Sequence, residues 1–65
     1  MIEFPLKVPT RVTAMCEAKA ISEATDETIY LFHVSEGWYV IDNQPNSYSN
    51  ENLILKLKRG EKLWG

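Results

Sequence analysis

The sequence predicts an α+β domain, a small antiparallel sheet of four or five strands with one packed helix in the order β-α-β-β-β(-β). Three observations carry this. Residues 29–34 and 38–41 are rich in β-branched and aromatic side chains and flank a glycine-containing turn. Residues 16–24 form an Ala-rich run with neither Gly nor Pro, the composition of a helix. Residues 2–8 and 53–58 alternate apolar and polar side chains with the period of a strand. A small SH3-like β-barrel with a shortened helix is the second architecture compatible with this order.

In the first strand, Ile2, Phe4, Leu6 and Val8 share the core side. Pro5 has no backbone donor, which assigns the strand to an edge, and Pro9 ends it. The helix is predicted over residues 13–24, with Thr13 as N-cap and Glu17 in the first turn near the positive end of the dipole. Met15, Ala18 and Ile21, with Ala14 behind them, make its narrow apolar stripe. The alternative is a short strand over residues 11–15 and a helix starting near Cys16.

Residues 28–42 form a β-hairpin that turns at Val34-Ser35-Glu36-Gly37. A type I turn with Gly37 left-handed, completing a G1 bulge, sets Val34 opposite Trp38, Phe32 opposite Val40 and Leu31 opposite Ile41. Both faces of this hairpin are apolar. One carries Tyr30, Phe32, Val34, Trp38 and Val40, the other Ile29, Leu31, His33, Tyr39 and Ile41. Residues 42–52 are almost wholly polar turn formers, a long loop for so small a chain. In the strand that follows, Leu53, Leu55 and Leu57 point inward, with Ile54, Lys56 and Lys58 outward. Arg59-Gly60 turns into a short final strand over residues 61–64.

Sixty-five residues make a single domain, and a hydrophobic fraction of 45% with seven aromatics argues against wholesale disorder. A core of this size rarely supplies more than roughly 3–5 kcal/mol without a staple. Cys16 is the only cysteine, so no internal disulfide forms, and Cys16 with His33 is too small a ligand set for structural zinc. Self-association is the remaining common remedy, so a homodimer is one expectation. No apolar run reaches membrane-spanning length, and the first residues lack a signal peptide's basic flank and apolar stretch. The expectation is a cytoplasmic protein with no membrane partner.

Chemistry-bearing motifs are sparse. The three glycines are isolated, so no phosphate loop, dinucleotide fingerprint or nucleophile elbow is present. Cys16 reads as a small buried hydrophobe on a helix, and Glu17, Glu23, Asp26 and Glu27 as a solvated acidic surface. The sequence therefore predicts no catalytic residues, no cofactor and no metal.

The expected function is that of a non-enzymatic binding protein, a small regulator or inhibitor that occupies a partner's surface. One helix covers only one face of a sheet, and the hairpin is apolar on both. Trp38, Tyr39 and Tyr48, with His33 secondary, are the candidate protein-binding residues, because aromatic side chains anchor interfaces. The alternative is a nucleic-acid-binding module using Lys56, Lys58, Arg59 and Lys62, with an aromatic stacking partner nearby. Against it stands a net charge of −2.

Overall fold

The computed structural model describes residues 3–64. The elements run β1 (Leu6–Val8), α1 (Arg11–Thr25), β2 (Ile29–His33), β3 (Tyr39–Asp42), β4 (Leu53–Lys58) and β5 (Glu61–Trp64). Single 3-10 turns occupy Ser35–Gly37 and Asn50–Asn52. The five strands form one antiparallel sheet in the order β1-β3-β2-β4-β5, with α1 packed on one face. This is the α+β architecture expected from the sequence. The edges β1 and β5 do not pair with each other, so the sheet is open and not a closed SH3-like barrel.

The N-terminal alternation gives a shorter strand than its pattern implies. Pro5 precedes β1, which starts at Leu6 and pairs with β3 through Leu6↔Ile41 and Val8↔Tyr39. Phe4 and Leu6 pack against the core and Val8 lies within it. The predicted core position of Ile2 falls outside the described residues.

The helix begins two residues before the expected start. Thr10 takes the extended cap conformation, and the Ala14 amide donates to its carbonyl at 3.0 Å. Thr13 is therefore inside the first turn. Glu17 belongs to the second turn, and the first contains no acid. The buried stripe is Ala14, Ala18, Ile21 and Ser22, which rotates the helix from the predicted face, leaves Met15 on its flank, 40% exposed, and exposes Cys16, which was expected to be buried. Two alanines at the contact allow close approach to the sheet. Leu31, Ile41, Leu55, Leu57 and Ile29 supply the opposing surface.

The buried hydroxyl of Ser22 needs partners. It donates to the Lys19 carbonyl at 2.8 Å and accepts from the Gly60 amide at 2.9 Å. The C-terminal end of α1 is thereby fastened to the β4–β5 turn. Asp26, left-handed at φ 58°, closes the helix by donating its amide to the Ser22 carbonyl.

The β2–β3 hairpin has the predicted register, Leu31↔Ile41 and Phe32↔Val40, and the Val34 amide donates to the Trp38 carbonyl at 2.9 Å. Its turn differs from expectation. Glu36 (φ 69°) and Gly37 (φ 79°) are both left-handed, so the type I geometry, which needs negative φ at Glu36, is absent. The β2–β4 pairing also departs from simple alternation. A bulge pairs Leu31 with Leu55 but Phe32 with Leu53. Ile54 is thereby packed against the core on the helix side, while Leu53 joins the opposite face beside Phe32. The sequence pattern had the two the other way round.

Candidate protein-binding surface

The face opposite α1 is built by the alternate residues of every strand. Lys7, Val40, Phe32 and Leu53 form one row across β1, β3, β2 and β4. Asp42, Tyr30, Lys56 and Trp64 form the next, across β3, β2, β4 and β5. The middle of this surface is dry, with Phe32 and Val40 fully buried.

Much of the cover comes from the polar loop. The Asp42 carboxylate, only 4% exposed, accepts the amides of Asn43 at 2.7 Å and Gln44 at 3.3 Å and the Ser47 hydroxyl. An aspartate that binds the backbone just ahead of it curls the chain back. That curl brings Tyr48 over Phe32, with ring centroids 5.5 Å apart and planes tilted by 47°. The hairpin's second apolar face is thus partly satisfied from within the chain.

The remainder is aromatic, apolar and flanked by lysine. The Lys7 ammonium lies 5.1 Å from the Trp38 ring centroid, and that of Lys56 lies 5.7 Å from Tyr30. Trp38 is half-buried, Tyr48 keeps a third of its surface in solvent, and Trp64 is 52% exposed. A shallow open hollow of about 310 Å³, lined by Asn50, Leu53, Lys56 and Trp64, adjoins the row that Tyr48 covers.

The predicted site residues separate. Trp38 and Tyr48 share this face. Tyr39 and His33 pair across the hairpin on the helix side, where their rings stack at 4.5 Å with a 9° interplanar angle and Tyr39 packs on the core. Trp64, Leu53 and Tyr30 belong to the surface and were not among the expected protein-binding residues. The exposed tryptophan at a strand end was the available signal for Trp64. Leu53 had none, because the bulge that turns it outward comes from pairing with β2.

The four basic residues of the nucleic-acid alternative do not form one patch. Lys56 lies on the aromatic face, and alternation puts Lys58 there too, paired in register with Glu61. Lys62 pairs with Leu57 and lies toward the helix, lining a hollow with Met15 and Lys19. Arg59 is engaged with Asp26, whose carboxylate accepts from its guanidinium. That hydrogen bond, with the nearby positive charge, holds the Asp26 carboxyl below its ordinary range and raises the guanidinium in turn. Among the described residues no group of three His, Cys, Asp or Glu is placed to hold a metal ion. Among the same residues, no helix is long and apolar enough to cross a membrane. No protein-family model matches the chain, and no curated protein or solved structure matches it significantly.

Proposed function

We propose that this chain is a non-enzymatic protein-binding domain, a small regulator or inhibitor that occupies a partner's surface with the sheet face opposite α1. The observation that carries the reading is the continuity of Trp38, Tyr48 and Trp64 with Leu53 and Tyr30 on that one face, next to an open hollow. Aromatic anchors beside a desolvated centre are the usual composition of a binding hot spot. Lys7 borders it at the β1 edge, and Lys56 lies between Tyr30 and Trp64.

The test is capture of a partner by the immobilised protein, with mass spectrometry and titration of the partner so identified. Tyr48→Ala and Trp64→Ala each weaken that complex by roughly 30-fold, the cost of truncating a hot-spot aromatic. Val12→Ala, an exposed position on α1, leaves it unchanged. Circular dichroism confirms that each variant is folded. A partner indifferent to both aromatic truncations would remove this surface from consideration.

Single-stranded nucleic acid is the second reading, favoured by one observation, the interleaving of Lys7 and Lys56 with Trp38 and Tyr30. It gives binding at low salt that declines steeply with added salt and on Lys56→Glu. No retention of a labelled oligonucleotide at low salt would dispose of it.

A further inference from the structure

The second side of the molecule carries a shallow, open groove. The substantial contacts of α1 are with β1 to β4, so β5 extends beyond the helix. The gap between them contains two hollows, of about 320 and 160 Å³, that share Met15, Leu55 and Lys62. Cys16, Lys19 and Leu57 complete the larger, and Arg11, Leu31 and Ile54 the smaller. The groove is a wedge. At its closed end Ser22 binds Gly60 and Asp26 binds Arg59, whereas toward Arg11, among the described residues, no hydrogen bond or ion pair joins the helix to β5.

Its chemistry is one-sided. Met15, Ile54, Leu55 and Leu57 make an apolar floor, and the three charged groups on the rim, Arg11, Lys19 and Lys62, are all cations. Among the described residues none of the three is in an ion pair. No acid among the described residues lines either hollow; Glu17 is exposed on α1, and the acids toward the β4–β5 turn have other neighbours. Glu23 packs at Gly60 on the closed end, Asp26 is paired with Arg59, and Glu61 is in register with Lys58. In a chain of net charge −2, a partly apolar trough rimmed by three cations is a local inversion of sign.

We propose that this groove receives an acidic amphipathic helix of a partner protein, lying beside α1 over β4 and β5. The rim's charge selects acidic side chains, and the floor takes two apolar anchors spaced one helical turn apart. The flank of α1 from Arg11 to Lys19 runs for about 12 Å, enough for two turns of such a helix. Addition of a strand to the free edge of β5 is disfavoured. Between Lys56 and Leu57 the β4–β5 register shifts, and bulges and lysines are the devices that protect edges from further pairing. This surface is separate from the aromatic face and does not depend on what that face binds.

The probe is a labelled 14-residue peptide with Leu at positions i and i+4 and Glu on both flanks, compared with a counterpart carrying Lys for every Glu. Fluorescence anisotropy against the full chain shows the Glu peptide binding at least roughly fivefold more tightly, a preference that shrinks with added salt. Amide shifts concentrate on Met15, Cys16, Lys19, Leu55 and Lys62. The Lys19→Glu/Lys62→Glu double variant reverses the preference while keeping its circular dichroism. Three results would overturn the proposal: equal or absent binding of both peptides, shifts centred on Trp38 and Tyr48, or protection of outward β5 amides typical of strand addition. Sedimentation showing a concentration-dependent dimer that Met15→Glu abolishes would assign the groove to a second copy of the chain, and would equally refute it.

Discussion

Gly37 and Gly60 have nearly the same backbone, φ 79° and 78°, in very different surroundings. A Cβ at Gly37 meets nothing within 4 Å, whereas one at Gly60 lies 2.8 Å from Glu23 Cγ. Alanine at either position incurs the left-handed penalty of about 1–2 kcal/mol. Only at Gly60 must a neighbour, the exposed Glu23 side chain, also move. Urea denaturation should therefore show Gly60→Ala less stable than Gly37→Ala, with Glu23→Ala recovering the excess in the Gly60→Ala background. Equal losses at the two glycines would mean that Glu23 yields freely. The turn role of both glycines was legible, because glycine between β-rich runs has few other uses. The left-handed Glu36 was not, since nothing about a glutamate announces that conformation. The Ser22–Gly60 bond, joining residues 38 apart, was equally silent.

Among the elements, α1 is electrostatically inverted. Arg11 stands at its positive N-terminal end, no acid occupies its first turn, and no base occupies its last. Thr10 has the backbone of an N-cap, but its hydroxyl makes no capping bond. Thr10→Asp supplies both an acceptor and a negative charge, and should stabilise the domain by about 0.5 kcal/mol. Thermal melts would register this as a midpoint raised by about 2–4 °C. A lowered midpoint would show that the Thr10 side chain is needed where it is.

The helix was read from its composition correctly in kind, but its start was misplaced. Thr13 has the right chemistry for a cap, and Thr10 has it too; only the end of β1 at Val8 decides between them. The hairpin was read almost completely, because its pairing is local and its turn short. The inward-facing residues of β4 were misassigned at Leu53 and Ile54, where a long-range pairing inserts a bulge that period-two alternation cannot register.

For the whole molecule, the sequence made one sheet and one helix legible, together with the surplus of apolar surface on the hairpin. It did not say which face the helix takes, and that decides the candidate site. With α1 over Ile29, Leu31 and Ile41, Tyr39 packs against the core with the exposed His33 stacked on its ring, and Trp38 goes with Tyr48 on the far side. The scattering of Lys56, Arg59 and Lys62 has the same origin, since neighbouring positions on a hairpin end on different faces.

The strand order has one more consequence, for the sequence in which the molecule opens. β2 and β3 close through a five-residue connection, and β4 and β5 through two. β1 joins only through Leu6↔Ile41 and its neighbours, after a loop of more than thirty residues has closed. It is also the shortest strand and has one partner. Native-state hydrogen exchange should find the β1 amides released by a sub-global opening well below the full unfolding free energy, with β2 last to exchange. Exchange of β1 at the same free energy as β2 would instead make the whole sheet a single cooperative unit. If β1 leaves first, the backbone of β3 becomes briefly available as a template. Aggregation of this chain would then start at Tyr39–Asp42, although that segment lies well inside the native sheet.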